Sequence, residues 1–386
     1  MRLFWANKKL IATTLAAIFC LNTPVWALDT AARAAMVVDY NTGTVLLAKN
    51  EEEALPPASM SKLMTLNMVF EALEQGRLSL NDTFRVSAKA AAKGGSKMFV
   101  REGDRVRVED LILGVIVHSG NDACIVLAEG LAGSEEAFAT RMTERAFELG
   151  MQDSTFGNAT GWPDPRQRMS ARDLVFLAER LITEFPQYYN YFAVDSFTWE
   201  GIVQNNRNPL LNLGIGADGL KTGHTEEAGY GLVGSAKRDD RRVILMISGL
   251  PDDTARSTEA ERLTNWAFRE FGMRTLFEKG TEIDTASIWL GAADTVSLVV
   301  DQDVEVLIPL AGKEKVTASY SFEEPVRAPV EAGQKIGEIV VTIPDHEDIV
   351  LPLVAKQAVA AGGFGERVRT ATELLIQEIR AFTSGS

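Results

Sequence analysis

The sequence predicts an α+β domain followed by a small all-β domain. Strand-like runs open and close the region 28–274, and helical patterns lie between them. Beyond about residue 275 the composition changes, and short alternating or β-branched runs are separated by Gly, Pro and Asp. With 386 residues, the chain is long enough for two domains with separate cores. We therefore expect an antiparallel sheet flanked by helices, including a helical subdomain, and then a domain made of strands.

The first half of the α+β domain begins with a hairpin and continues with helices. The segment AAMVVDYNTGTVLLAKN is typical of two strands around a turn at Asn41-Thr42-Gly43. Pro56-Pro57 then lead into a predicted helix over 59–73. The other predicted helices cover 108–117, 122–131, 134–149 and 170–182, the last opened by the capping pattern Ser170-x-x-Asp173.

The second half of this domain returns to strands. GLKTGHTEEAGYGLVGSAKR and RRVILMISGL are predicted to pair with each other, turning at Asp239-Asp240. A helix over 257–272 follows them. In the all-β domain, residues 275–362, the strand-like segments are VSLVVDQDVEVLIPL, KVTASYSF and KIGEIVVTI.

The N-terminus has the order of a secretory signal peptide. Residues 1–27 contain a basic start, then the apolar run LIATTLAAIFCL, then Val25-Trp26-Ala27 as a cleavage site. The alternative is an uncleaved anchor helix, but the apolar run is short for a membrane span and Pro24 follows it. We therefore expect a protein secreted across the inner membrane into the periplasm.

Charge and cysteine content argue against a nucleic-acid-binding protein and against a cysteine-dependent enzyme. Loss of the three basic residues of segment 1–27 changes the formal net charge from −14 to −17. No polybasic face stands out, so nucleic acid is not an expected partner. Cys124 is the only cysteine left after residue 27, and it lies in an apolar helical run. We expect it to pack in the core as a small hydrophobic residue rather than to act as a nucleophile.

The last 24 residues, 363–386, predict an amphipathic helix after Gly362-Gly363. Its apolar stripe consists of residues that recur every three or four positions: Phe364, Val368, Ala371, Leu375, Ile379 and Phe382. Such a helix can pack back on the β domain or lie in the membrane interface. The glycine hinge and the terminal position favour the membrane surface.

One pair of residues in the chain predicts chemistry. In PPASMSKLMT, Ser59 and Lys62 are three apart at the start of a helix, so they share one face. Lys62 lies among methionines and leucines, where burial disfavours its charged form. A neutral lysine amine can take the serine proton and make the hydroxyl a nucleophile. The Ser-x-x-Lys pattern alone is weak evidence, since chance produces it in a chain of this size.

Two further motifs strengthen the prediction. Ser119-Gly120-Asn121 ends the apolar run LILGVIVH at a break between two helices, where its side chains can face a cleft. Lys221-Thr222-Gly223 lies in a strand flanked by glycines, where a strand edge can offer backbone groups to an extended peptide. We expect Lys221 to be the second cation that lowers the pKa of Lys62.

In this order and spacing the three motifs resemble the signature of penicillin-interacting serine acyl-enzymes. The segments SGNDA, DGLKTGHTEEAGYGLVGSA and SKMF look like those of the low-molecular-mass penicillin-binding proteins. Among these, the chain resembles the serine-type D-alanyl-D-alanine carboxypeptidases with a C-terminal β domain. The resemblance implies release of the terminal D-alanine from peptidoglycan stem pentapeptides, inhibition by β-lactams, and attachment of the tail helix to the periplasmic face of the inner membrane.

The resemblance also implies roles for individual residues. The catalytic group comprises Ser59 as nucleophile, Lys62 as general base, Ser119 and Asn121 as proton relay and amide-binding groups, and Lys221 as the supporting cation. The substrate-binding group comprises Thr222, Gly223, His224, Arg256 and Arg207. Within it, Thr222 and Arg256 would bind the terminal carboxylate, and the backbone N–H groups of Ser59 and His224 would form the oxyanion hole. For Arg256 a surface position in a first helical turn is the alternative, and the role of Arg207 stays open.

Other functions fit the sequence less well. A class A β-lactamase needs a glutamate-activated water for deacylation, and no Glu-x-x-Leu-Asn pattern lies between Asn121 and Lys221. A zinc peptidase is not expected, because His118, His224 and His346 lack paired ligand spacing. No metal or cofactor is therefore predicted. A DD-endopeptidase of the same family and a slow penicillin-binding wall scaffold remain as alternatives.

Overall fold

The computed structural model describes residues 28–310, 316–342 and 348–365. In chain order, the elements up to residue 270 are β1 (Ala34–Asp39), β2 (Val45–Lys49), α1 (Lys62–Glu74), β3 (Thr83–Arg85), α2 (Ala88–Ala92), β4 (Arg105–Arg107), α3 (Val108–Ile116), α4 (Asn121–Ala132), α5 (Glu135–Glu148), α6 (Ala171–Glu184), α7 (Pro186–Tyr189), β5 (Ser196–Trp199), β6 (Ile202–Asn205), β7 (Ala217–Thr225), β8 (Gly229–Arg238), β9 (Arg241–Leu250) and α8 (Asp253–Glu270). The α+β class expected for this part of the chain is confirmed.

An antiparallel five-stranded sheet in the order β2-β1-β9-β8-β7 forms the centre of this domain. Strand β1 is buried along its whole length, because both faces of the sheet are covered. On β1, Met36 and Val38 face a core shared with helices α1 and α3 to α6, whereas Ala35 and Val37 face a second core beneath α8. Because alternate side chains of the strand enter two different cores, residues 34–38 are all apolar, and only Asp39 at the end of the strand is polar.

Two details of this domain differ from the sequence prediction. The segment predicted as one strand over residues 219–238 forms a hairpin of its own, β7 and β8, so that three strands rather than two follow one another. Helix α8 begins at Asp253, four residues before the predicted start, because Asp252 caps it by accepting a hydrogen bond from the Ala255 N–H at 2.7 Å. An aspartate cap of this kind is a recognisable start signal that the prediction overlooked.

The remaining described residues form the all-β part. Its strands are β10 (Phe271–Phe277), β11 (Glu282–Trp289), β12 (Thr295–Val300), β13 (Val304–Pro309), β14 (Thr317–Phe322), β15 (Val326–Arg327), β16 (Lys335–Thr342) and β17 (Ile349–Ala355). Six of them make one sheet in the order β14-β16-β17-β12-β11-β15, and β10 pairs with β13. A separate core of aliphatic side chains, including Leu298, Val341 and Leu353, lies within this part. Strand β10 takes up the last residues of the predicted 257–272 helix and spans the expected domain boundary at residue 274.

The predicted signal peptide, residues 1–27, lies outside the described residues, as does the predicted tail helix from residue 366 onward. In the described part of the chain, no helix is both long and apolar enough to cross a membrane.

Candidate active site

Lys62 lies at the centre of the site and is fully buried. Its Nζ donates hydrogen bonds to Ser59 Oγ at 2.8 Å, to Asn121 Oδ1 at 2.8 Å and to the Thr160 carbonyl at 2.5 Å. Three acceptors around one amine fix its position on the serine side chain. The structure therefore brings the first two predicted motifs into direct contact.

The start of α1 explains how Ser59 and Lys62 meet. The first turn of the predicted 59–73 helix is a 3-10 turn over Ala58–Ser61, with the Met60 N–H bonded to the Pro57 carbonyl at 3.1 Å. In a 3-10 turn, side chains three residues apart lie directly above one another. This geometry places the Ser59 hydroxyl over the Lys62 amine.

A loop over residues 158–162 supplies the third acceptor of Lys62. Asn158 Oδ1 accepts hydrogen bonds from the N–H groups of Thr160, Gly161 and Trp162 and so fixes the loop. Gly161 has φ +79°, and a Cβ there would lie 1.9 Å from the Ala58 carbonyl oxygen. Only glycine permits this close approach between the loop and the Ser59 turn.

The break between α3 and α4 positions Ser119 and Asn121. Ser119 is 2% exposed and has φ 57°, a left-handed conformation that is uncommon for serine. The Asn121 N–H donates to the Ser96 carbonyl at 2.8 Å, and Asn121 Nδ2 donates to the Gly94 carbonyl at 2.9 Å. These bonds orient the amide of Asn121 so that its oxygen faces Lys62.

Asp122 fixes the segment next to the site. Its buried carboxylate accepts hydrogen bonds from the backbone N–H groups of Met98 at 2.8 Å, Phe99 at 2.8 Å and Val100 at 3.3 Å. The SKMF segment, 96–99, is thereby attached to the first turn of α4. A carboxylate at a helix N-terminus is also favoured by the helix dipole.

Strand β7 carries Lys221, Thr222 and Gly223 past the Ser59 turn. A Cβ on Gly223 would lie 2.9 Å from the Pro57 carbonyl oxygen and 3.2 Å from the Cβ of Ala58. Lys221 is 2% exposed, and its Nζ donates to the Thr222 carbonyl at 3.1 Å. The third motif therefore packs directly against the turn that holds the serine.

The two lysines are buried without a carboxylate in contact. Among the residues that the structure describes, neither Lys62 nor Lys221 belongs to an ion pair. Burial lowers the pKa of Lys62 to about 8, and the positive charges of Arg207 and Lys93 act in the same direction. Burial and the charge of Lys62 hold the pKa of Lys221 well below its usual value.

The two lysines also affect each other. Lys221 was expected to lower the pKa of Lys62; the two ammonium groups repel one another, this repulsion lowers the pKa of Lys221, and Arg207 and Lys93 also lower the pKa of Lys62. The reason is that two buried ammonium groups cannot both keep their protons without a neutralising carboxylate.

The remaining predicted residues lie around this centre. Arg256, in the first turn of α8, is 6% exposed rather than on the surface; it pairs with Asp253 and lies 5.7 Å from the Tyr230 ring centroid. His224 is exposed and stacks on the same ring at 3.8 Å between centroids. Arg207 donates to Ser96 Oγ at 2.5 Å, which places it beside the SKMF segment.

Two sequence predictions concern other chemistry. Cys124 is fully buried in the core, as expected, and burial raises its pKa to about 12, so its thiol stays protonated. Within residues 28–310, 316–342 and 348–365, no group of three or more His, Cys, Asp or Glu side chains has the arrangement of a metal site. His346 lies outside the described residues.

Three residues that shape the site were not predicted from the sequence: Asn158, Thr160 and Trp162. Thr160 acts through its backbone carbonyl, which no side-chain pattern reveals. The Asn-Ala-Thr-Gly segment was available as a signal, because an asparagine side chain in a turn readily accepts a bond from the backbone N–H two residues on. Nothing in the sequence alone connects this turn to Lys62, 98 positions away.

Comparison with known proteins agrees with the geometry. Residues 22–251 match the family model described as D-alanyl-D-alanine carboxypeptidase, and residues 271–361 match that of the penicillin-binding protein 5 C-terminal domain. D-alanyl-D-alanine carboxypeptidase DacC of Escherichia coli is 38% identical, over 91% of this chain and 90% of its own. A Pseudomonas aeruginosa D-alanyl-D-alanine endopeptidase is 29% identical over 62% of this chain and 77% of its own.

Solved structures give the same result. Penicillin-binding protein 5 of Haemophilus influenzae has a TM-score of 0.72 and 34% identity, covering 86% of this chain and 98% of that one. Penicillin-binding protein D2 of Listeria monocytogenes, solved in its ampicillin-bound form, has a TM-score of 0.58 and 30% identity, covering 62% of this chain and 99% of that one. The protein belongs to the D-alanyl-D-alanine carboxypeptidase family and carries the C-terminal domain of penicillin-binding protein 5 type.

Proposed function

We propose that this enzyme removes the terminal D-alanine from peptidoglycan stem pentapeptides through an acyl-enzyme on Ser59. The observation that carries the proposal is the 2.8 Å contact between Ser59 Oγ and the buried Lys62 amine, whose pKa is lowered to about 8. A serine next to a lysine of lowered pKa is a nucleophile next to its base. By controlling the supply of pentapeptides, the reaction would limit cross-linking of the cell wall.

Acylation begins with Lys62 in its neutral form. The amine takes the proton of Ser59, and Oγ attacks the carbonyl of the penultimate D-alanine. The backbone N–H groups of Ser59 and His224 would stabilise the oxyanion. The terminal D-alanine leaves after its nitrogen receives a proton through Ser119, supported by Lys221. Because the neutral amine is required, acylation should accelerate as pH rises toward about 8.

Hydrolysis of the acyl-enzyme uses the same groups in reverse. Water attacks the ester, Lys62 accepts the water proton, and Ser59 leaves with its proton restored.

Asn121 is oriented by the Gly94 carbonyl and would hold the amide of the bound peptide. Thr222, beside Gly223 on β7, would bind the terminal carboxylate together with Arg256. Arg207, which donates a hydrogen bond to Ser96 of the SKMF segment, would add positive charge near the bound carboxylate.

β-Lactams would acylate the same serine, because they present a reactive carbonyl next to a carboxylate. The Listeria relative in its ampicillin-bound form supports this inference. The match of residues 271–361 to the penicillin-binding protein 5 C-terminal domain favours carboxypeptidase over endopeptidase activity. No metal or cofactor is needed for any of these steps.

We further propose the division of the chain into a signal peptide over 1–27, a catalytic domain over 28–274, a β domain over 275–362 and a membrane-attached helix over 363–386. The mature enzyme would be periplasmic and held peripherally on the inner membrane. The apolar stripe of the tail supports attachment by burial in the membrane interface. Deleting residues 364–386 should release active enzyme into the soluble fraction, whereas a soluble full-length mature protein would exclude the anchor.

The reaction itself is tested by D-alanine release from a stem pentapeptide, with penicillin treatment and mass spectrometry of the Ser59 peptide in parallel. Release together with a penicillin adduct on Ser59 is the expected result. Cleavage of cross-linked peptide dimers without release from pentapeptide would indicate an endopeptidase. An adduct without turnover of either substrate would indicate a penicillin-binding scaffold.

A further inference from the structure

Lys93 lies beside the catalytic centre, where its charge contributes to the lowered pKa of Lys62, but it touches no reacting atom in the steps described above. It follows α2 directly, and its Nζ lies 4.3 Å from the ring centroid of Trp162. Gly94 accepts a hydrogen bond from Asn121 Nδ2, and a Cβ on Gly95 would lie 2.9 Å from both Asn121 Nδ2 and the Trp162 ring. Lys93 is therefore linked, through the two glycines that follow it and through Trp162, to the side-chain amide of Asn121, which is expected to hold the substrate.

The neighbouring lysine, Lys89, shows what is unusual about Lys93. One turn earlier in α2, the Lys89 ammonium forms ion pairs with Glu135 at 2.9 Å and Glu136 at 2.7 Å. Lys93 forms no ion pair with any carboxylate in the part of the chain that the structure describes; its contact is the face of an indole. An aromatic face stabilises a cation without neutralising it, so the charge of Lys93 remains available to an anion.

The terminal carboxylate of the substrate is expected elsewhere. Thr222 and Arg256, which would bind it, belong to β7 and α8, whereas Lys93 and Trp162 are attached to Asn121 and the 158–162 loop in the helical part. The chain has a formal net charge of −14, so carboxylates outnumber cations, yet this half-buried lysine at the site has no ion pair among the described residues. Such a charge can bind a second anionic group on the substrate.

We propose that Lys93, supported by Trp162, selects acyl donors that carry a second carboxylate on a residue preceding the two D-alanines. The inference rests on the proposed function and assigns Lys93 as a specificity-determining residue for it. The carboxylate would meet the Lys93 ammonium while the aliphatic part of the same side chain packs on the indole. Lys93 would then determine specificity rather than take part in bond breaking.

The test uses two matched pairs of synthetic peptides. The first pair is acetyl-Glu-D-Ala-D-Ala and acetyl-Gln-D-Ala-D-Ala, which differ by a carboxylate against an amide of the same shape. The second pair carries the same Glu or Gln one residue further from the D-alanines, with Ala between. D-Alanine release gives kcat/KM for each peptide, and the Glu-to-Gln ratio is the quantity compared between enzymes. The pair with the larger ratio shows which position reaches Lys93.

We expect the wild-type ratio to be about 5 or more in at least one pair, since a charge-assisted contact to a partly exposed lysine has about this effect. Lys93→Met should reduce that ratio to about 1, and Lys93→Arg should retain it because the charge remains. Lys89→Met is the matched control, and it should keep the wild-type ratio because Lys89 is already paired with Glu135 and Glu136.

The outcomes separate this inference from the proposed function. D-Alanine release at equal rates from Glu and Gln peptides by the wild-type enzyme would overturn the role of Lys93 and leave the carboxypeptidase activity intact. A preference for Glu that survives in Lys93→Met would also overturn it. No release from any of the four peptides would instead contradict the proposed function.

Discussion

Two buried charged clusters lie at opposite ends of α1, and they differ in one respect. At its N-terminus, Lys62 and Lys221 are buried with neutral acceptors around them. Near its C-terminus, Glu71 is 7% exposed and accepts hydrogen bonds from Arg145 Nε at 3.0 Å and from Arg180 at 2.9 Å. The first cluster combines like charges, and the second combines opposite charges.

The difference shows where the fold is stabilised and where it is reactive. The Glu71 cluster links α1, α5 and α6, and each charge has a partner. Removal of the carboxylate would leave Arg180 without an ion pair in the described part of the chain, whereas Arg145 would keep Glu148. In the lysine cluster, burial without a carboxylate partner lowers the pKa of Lys62 and nearby positive charges add to this, so a base becomes available near neutral pH. The same helix thus carries one cluster that stabilises it and one that destabilises it in favour of catalysis.

The largest expected effect is on catalysis at the lysine cluster. Lys62→Arg keeps the positive charge but cannot act as a base near neutral pH. We expect kcat/KM for D-alanine release to fall by roughly 10²- to 10⁴-fold, nearly as far as in Lys62→Ala. Stopped-flow acylation by a chromogenic β-lactam measures the step directly. Near wild-type acylation by the arginine variant would reduce the role of Lys62 to electrostatics.

The second effect is on stability at the carboxylate cluster. Glu71→Ala leaves Arg145 and Arg180 without their shared carboxylate, and we expect the free energy of unfolding to fall by about 3 kcal/mol. Urea unfolding measures the change. The matched control is Glu53→Ala, which breaks the exposed pair with Arg33 and should cost less than about 1 kcal/mol. Equal losses in the two variants would mean that burial of the Glu71 cluster does not increase its contribution to the free energy of unfolding.

A smaller effect separates substrate binding from base chemistry. Arg256→Ala should lower kcat/KM for a peptide with a free terminal carboxylate by roughly 30- to 150-fold, or about 2–3 kcal/mol. A substrate whose terminal carboxylate is replaced by an ester should be affected much less. Steady-state kinetics on this matched pair checks the difference. The same loss on both substrates would remove Arg256 from carboxylate recognition.

The smallest effect tests the cost of the lysine cluster to the fold. Lys62 has a folded pKa of about 8 against an ordinary value of 10.5, so between these values the unfolded chain binds more protons and stability rises with pH. Lys62→Met should therefore unfold with a free energy about 1–3 kcal/mol above wild type at pH 7. The gain should shrink as pH approaches 10. Urea titrations at pH 7 and 9.5 measure the gain. A loss of stability at both pH values would contradict the conclusion that the buried Lys62 destabilises the fold.

The sequence by itself determined the fold class, the position of most helices and the three motifs. Local signals carry this information: strand-like apolar runs, the prolines before Ser59 and the glycine break before Asn121. Helix and strand patterns repeat over a few residues, so they can be read without knowing distant contacts. The motif spacing also identified the family, because the chemistry requires the same residue types in the same order.

Only the tertiary structure decided which groups surround the reacting atoms and how their charges interact. The Thr160 carbonyl reaches Lys62 across 98 positions, and the indole of Trp162 meets Lys93 across 69 positions. Neither contact leaves a local pattern, because a backbone carbonyl has no side-chain signature and a pKa depends on burial and on all nearby charges. For the same reason the sequence did not reveal that Arg207 and Lys93 also lower the pKa of Lys62.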